Sequence, residues 1–350
     1  SIPNSPMETA VLTPAADIRA AADAYRAENP KARARNVAQG IGVSEAQLLA
    51  TGVGTNVVVL RPEFGAILSS LEPLGRLLAL TRNDACVHER KGVYSGFQSQ
   101  GPHTLFVGKD IDLRIFLRAW ASAFAVEENG RRSLQFFDRA GQAVHKVYAT
   151  DETNTDGWNA LIEQFRADEQ PDELAVSTPA PRPAETPEAD LDLAAFYDGW
   201  RALTDTHDFF PLLRTHGVSR RQAVRNAPAD LARPVSAKAA RQLLEGAAAT
   251  GQPIMCFVGN DGCIQIHTGP VAKIVEHGPW INVLDEAFNL HLDETKIAEA
   301  YVVTKPGDTG DVTALEVFDE GGEMIVQFFG ARKPGLPERD DWRTLAASLR

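Results

Sequence analysis

Apolar positions along the chain change period in the same order twice. Ile18 to Arg26 and Leu193 to Phe210 carry apolar residues at steps of three and four, which puts them on one face of a helix. The later blocks, Ser133 to Tyr148 and Ala314 to Phe329, alternate apolar with polar residues, the period of a strand buried on one side. They break at Asp138 to Gly141 and Asp319 to Gly322, which carry hairpin turn chemistry. Each half therefore predicts helix, helix, a meander of strands and a closing helix. The longest apolar runs, such as Met255 to Val258, fall far short of the roughly 20 residues of a membrane-spanning helix, so no membrane insertion is expected.

The halves repeat in detail. Gly42-Val43-Ser44 matches Gly217-Val218-Ser219, Asn83-Asp84 with Cys86 matches Asn260-Asp261 with Cys263, Gly92 matches Gly269, and Trp158 falls near Trp342. Between them Asp168 to Asp190 is dense in Pro, Glu, Ser and Thr and predicts an extended, exposed linker. The expected organisation is an N-terminal repeat over 16–167, the linker over 168–190 and a C-terminal repeat over 191–350. The fold class is α+β, a tandem repeat of two similar halves, each a large antiparallel β-sheet with packed helices.

Composition narrows the function. A net charge of −12 over 350 residues repels polyphosphate and argues against nucleic acid as partner. Three cysteines without a CxxC give neither a disulfide framework nor a thiolate zinc site, and without CxxCH any haem is held non-covalently. Ser1 to Ala15 lacks the charged and apolar regions of a secretory signal, which favours the cytoplasm. No GxGxxG follows a strand, since Gly52-Val53-Gly54 has Val57 where the third glycine belongs, so no NAD or flavin site is expected.

Leu193, Phe196, Trp200, Leu203, His207 and Phe210 share one face if the segment is a continuous helix, which sets His207 in an apolar stripe. Such an imidazole is either a core residue bonded to a carbonyl or a ligand for iron. Phe196, Trp200, Phe209 and Phe210 could line the cavity of a flat aromatic ligand, and the matching position in the first repeat is Ala32. Arg114, Arg220, Lys305 and Arg332 are either surface cations or partners for two propionates. A third reading comes from Arg35 to Leu49, which resembles a helix-turn-helix regulator with a serine cap. Its second helix offers Glu45 and Gln47 but no cation for phosphate.

The runs Cys86 to Tyr94, Asp110 to Phe116, Thr204 to Phe210 and Phe329 to Gly335 resemble the HemS/ChuS/HmuS family of hemin-degrading factors and cytoplasmic haem-transport proteins. The resemblance implies one haem b per chain in a cleft of the C-terminal half, with His207 as axial ligand of the iron. It implies Arg114 as a distal arginine, catalytic if the protein degrades haem, and Arg220, Phe257, Lys305, Gln327 and Arg332 as haem contacts. His88 matches a second haem contact suggested in some members. The implied partners are a haem-uptake ABC transporter and a haem oxygenase or reductase. The implied role in iron acquisition is trafficking of haem, degradation with an external reductant, or delivery to a separate oxygenase by a chaperone without activity of its own.

Overall fold

The computed structural model describes residues 13–350; the leader expectation for Ser1 to Ala15 lies outside the described residues up to position 12. The first repeat runs α1 (Ala15–Glu28), α2 (Ala34–Ile41), α3 (Glu45–Ala50), β1 (Val57–Leu60), α4 (Phe64–Ser69), β2 (Gly75–Arg82), β3 (Cys86–Val93), β4 (Phe97–Gln100), β5 (His103–Val107), β6 (Asp112–Ile115), β7 (Trp120–Glu128), β8 (Arg131–Asp138), β9 (Ala143–Thr153) and α5 (Thr155–Phe165). The second runs α6 (Leu193–Arg201), α7 (Phe209–His216), α8 (Arg220–Arg225), β10 (Ala232–Val235), α9 (Ala239–Thr250), β11 (Ile254–Gly259), β12 (Cys263–Gly269), β13 (Ile274–His277), β14 (Trp280–Leu284), β15 (Phe288–Asp293), β16 (Glu299–Gly307), β17 (Gly310–Phe318), β18 (Met324–Gly330) and α10 (Asp340–Ser348). The order of elements is the same in both, as expected of a duplicated α+β unit. The strands belong to two nine-stranded antiparallel sheets.

The chain divides into two compact units that do not follow the repeats strictly. One holds the first repeat up to Thr81, Lys91–Pro181, and the short segment Asn260–Ile264. The other holds Arg82–Arg90, Arg182–Gly259 and Gln265–Arg350. The first unit contains the strand run β1-β7-β8-β9-β2 and the meander β4-β5-β6. Its core gathers Trp120, Phe136, Trp158, Leu161 and Phe165, so α5 closes one face of the sheet. In the second unit the run is β10-β16-β17-β18-β11, and residues 86–90 of β3 pair with β15 of the meander β15-β14-β13. There α9 and α10 cover one sheet face through Leu243, Leu244, Ala247, Trp342 and Ala346.

Turn chemistry explains why the repeats share a register. Asp138 Oδ1 accepts from the backbone N of Ala140 and Gln142, and Gly141 adopts φ 79°. Asp319 Oδ1 accepts from Glu323 N, and Gly322 adopts φ 80°. Each strand pair also shifts register at one place, Phe136/Phe137 and Val317/Phe318. A one-residue slip would turn every buried side chain outward, so these paired devices hold both sheets to one pattern.

One expected element needs correction. The helix expected over Leu193 to Phe210 stops at Arg201, and α7 begins at Phe209. Asp205 is extended (φ −136°, ψ 124°) and caps the following turn, while Pro211 fits only the first turn of a new helix. Periodicity ran across the break by coincidence. The linker is extended but partly tied down. Gln170 exchanges two hydrogen bonds with the backbone of Val59, both 2.8 Å, Ser177 N donates to Arg139 O, and Glu185 takes Arg221 and Ser219.

The helix-turn-helix geometry of α2 and α3 forms, with Gly42 at φ 76° and a Ser44/Gln47 capping box. It recurs in α7 and α8 with Gly217 at φ 63° and Ser219/Gln222. Glu45 is bound to Lys146 at 2.6 Å and Gln47 is buried, so the would-be reading helix turns both polar side chains inward. The motif is a packing device of the repeat. Ser44→Ala removes the cap and should destabilise the protein by about 1 kcal/mol, read as a lowered urea midpoint; an unchanged midpoint would contradict the role given to the box.

Candidate functional site

One face of the second unit's five-strand run is apolar over its four strands β16, β17, β18 and β11, and the other is not. Ala300 and Val302 on β16, Leu315 and Val317 on β17, Val326 and Phe328 on β18, and Cys256 and Val258 on β11 are all buried in the core with α9 and α10. The opposite face carries Tyr301, Val303 and Lys305, then Ala314 and Glu316, then Gln327 and Phe329, then Met255 and Phe257, because residues two apart point the same way. Helices α6, α7 and α8 cover Tyr301 and Val303. Met255, Phe257 and Phe329 stay half-buried, and the two phenyl rings lie 5.1 Å apart.

Lys305 sits near the end of β16 and is buried. Its Nζ donates to Glu316 Oε2 at 3.1 Å and lies 4.2 Å from the ring centroid of Phe209. Gln327 Nε2 donates to the same Glu316 oxygen at 2.9 Å. Burial opposes the charge on Glu316, yet Lys305, the half-buried Arg220 and Gln327 together hold its carboxyl below the usual range. The group is a satisfied polar network, which a buried charge requires. Lys305, expected either on the surface or on a propionate, is buried and bonded to Glu316.

The turn Thr206–Asp208 joins α6 to α7 and leans on the same end of the sheet: a Cβ on Gly307 would lie 3.9 Å from the Thr206 methyl carbon. His207 stands on this turn with its side chain 92% exposed, not in an apolar stripe. The reason is the helix break: Phe209 fills the buried position, packed 4.8 Å from Trp200 and 6.2 Å from Phe196, and the polar turn stays outside. Asp205 Oδ1 accepts from His207 N at 2.9 Å and from Nδ1 at 2.8 Å. These two bonds hold the Asp205 carboxyl below its usual range. A carboxylate is an acceptor only, so Nδ1 carries the proton and Nε2 presents its lone pair outward. That is the tautomer an iron ligand needs. Phe196, Trp200 and Phe209 are core, not a cavity wall, and Phe210 alone of the four stays exposed, with the Arg214 guanidinium 5.1 Å from its ring.

Arg332 is exposed in the loop that follows β18, and that loop returns to the β16–β17 turn, where Thr309 Oγ1 donates to Leu336 O at 3.1 Å. Thus His207, Lys305 and the Arg332 loop share one end of one sheet, with Arg220, Gln327 and Phe257 on the same face. Arg114 belongs to the other unit: on β6 its Nη1 donates to Asp112 Oδ1 at 2.6 Å, and its side chain is 40% exposed. His88 is wholly buried in the second unit, its Nε2 3.2 Å from Cys256 O and its Nδ1 2.9 Å from Gln265 Nε2. Both ring nitrogens have partners within the second unit. Sequence reading missed Asp205 and Glu316, and it gave Phe209 to a cavity wall rather than to the core beneath the turn. Asp205 left a trace as a cap residue two places before His207; Glu316 left none.

This chain belongs to the HemS family. The model for the haemin-degrading HemS.ChuX domain matches it twice, over residues 42–165 and 217–349. The hemin transport protein HmuS of Yersinia pestis is 42% identical over 332 residues, covering 93% of this chain and 94% of that one. The crystal structure of holo-PhuS, a heme-binding protein of Pseudomonas aeruginosa, matches with a TM-score of 0.93 at 48% identity, covering 97% of this chain and 99% of that one. The heme degrading enzyme ChuS of Escherichia coli O157:H7 matches with a TM-score of 0.88 at 37% identity, covering 96% and 99%. Among the described residues no helix is long and apolar enough to cross a membrane.

Three imidazoles set an acid limit on the fold. Burial pushes His88 and His145 down to about 3 and His267 down to about 4, from an ordinary value of 6.5. The unfolded chain takes up these protons as pH falls through 6.5 and the folded chain does not. Their contribution is therefore complete above pH 6.5 and is lost progressively towards pH 3 to 4. The melting temperature should fall steadily between pH 7 and 5; a flat profile over that range would contradict the buried neutral rings.

Proposed function

We propose that this chain is a haem-binding protein of haem-iron acquisition, taking one haem b per chain on His207 Nε2. The observation that carries the reading is the Asp205–His207 pair: an imidazole held in one tautomer by a carboxylate, with its second nitrogen open. The half-buried surface of Met255, Phe257 and Phe329 suits a porphyrin plane, and Arg220 and Arg332 supply charge for propionates. In this reading Lys305 and Gln327 hold Glu316 and position Phe209 beneath the ligand turn. Arg114 keeps its distal role by resemblance alone.

Bound haem supplies iron redox chemistry; what the protein does is bind, orient and shield it. The relatives include both a hemin transport protein and a heme degrading enzyme. Incubating the haem complex with ascorbate and catalase separates the two: a persistent Soret band and transfer to an added acceptor support carriage, and loss of the band with release of iron supports degradation.

Titration of haem should give a one-to-one complex in the wild type. His207→Ala should shift the Soret band and weaken binding. Asp205→Ala, with the ligand kept but its tautomer no longer set, should weaken binding by roughly 10- to 100-fold. An unchanged spectrum and affinity in His207→Ala would defeat the proposal.

A further inference from the structure

The two repeats differ at one place where their registers make comparison direct. In the first unit Val58 pairs with Ala125 and Ala125 with Leu134; in the second, Arg233 pairs with Val302 and Val302 with Leu315. Arg233 therefore stands where the first repeat has Val58. Its guanidinium fills the space beneath the closing helix, donating to Leu349 O at 2.8 Å and Ala346 O at 2.9 Å. The first repeat has no such plug. A cavity of about 350 Å³ lies there instead, with Val58, Trp158 and Ile162 as apolar walls and Arg132, Arg166 and Asn159 among its polar ones.

Charge has moved from the centre of the slot to its rim. The cross-strand pair Thr304 and Thr313 of the second repeat becomes Glu127 and Arg132 in the first. Arg132 Nη2 reaches only the Thr155 hydroxyl, at 3.5 Å, and its Cζ lies 5.9 Å from the Trp158 ring. Among the described residues neither Arg132 nor Arg166 is paired with a carboxylate; Glu127, directly opposite Arg132 on the adjoining strand, also lines the cavity with its side chain exposed to solvent. Two guanidiniums over an apolar floor that includes an indole match a ligand with an anionic head and a flat apolar body. The volume is near the lower end of ligand pockets, about 300–1,000 Å³, which suits a small metabolite and is too small for a porphyrin.

We propose that the cavity bounded by Val58, Trp158, Arg132 and Arg166 is a binding site for a small aromatic carboxylate or phosphate monoester. It is independent of the haem reading, since all of it lies in the first unit.

Ligand-observed NMR on the full chain tests this with phenylacetate, phenyl phosphate, inorganic phosphate and neutral benzyl alcohol. One of the two aromatic anions should bind saturably, and which one binds tighter identifies the head group. Benzyl alcohol and inorganic phosphate should each bind at least roughly tenfold more weakly, as should the aromatic anion to Arg132→Gln. Val58→Arg, which installs the second repeat's own plug, should abolish binding. If that variant does not fold, the Trp158 indole N–H resonance of the wild type, assigned with Trp158→Phe, must still move with the anionic probes. Binding that survives Val58→Arg, equal binding of the neutral alcohol, or a stationary Trp158 resonance would overturn the site.

Discussion

A carboxylate two residues ahead of an imidazole sets what this chain can do. Without Asp205 the exposed ring of His207 would sample both tautomers and many orientations; with it, backbone and ring are held by one oxygen and the Nε2 lone pair is left open. The surrounding architecture is arranged to keep that short turn in place. Phe209 anchors it in the aromatic core of α6 and α7, and Lys305 touches Phe209 from the sheet while holding Glu316 and, through it, Gln327. The buried network thus acts on the His207 turn from below.

Duplication supplied the scaffold and divergence supplied the chemistry. Both repeats keep the same capped helix pair, the same turn aspartates and the same register shift beside the hairpin. They differ in what fills equivalent places. His207 has no counterpart in the first repeat, and Arg233 of the second is replaced by Val58. A frame whose turns and strand pairs fix the backbone can change such side chains without losing its fold, because the costs stay local.

The fold was legible in the chain because its devices are local. Asp-to-Gly turns, alternating strands and the Gly-Val-Ser cap pair each announce themselves within a few residues. The misread helix over Leu193 to Phe210 failed for a physical reason: Leu203, His207 and Phe210 continue the helical spacing although Asp205 and Pro211 end it. His207 was singled out for its chemistry but expected in an apolar stripe, whereas its side chain is exposed. Glu316 was invisible, since its partners Lys305 and Gln327 meet it only across strands, and Asp205 went unread because its role depends on the turn it creates.

The central claim is a direct bond between His207 Nε2 and haem iron. Resonance Raman spectroscopy of the ferrous haem complex, prepared with natural and ring-¹⁵N histidine, tests it most directly. An iron–histidine stretching band that shifts with the label and vanishes in His207→Gly is the predicted result. A labelled band that persists in His207→Gly, or a complex with no isotope-sensitive band, would contradict the account.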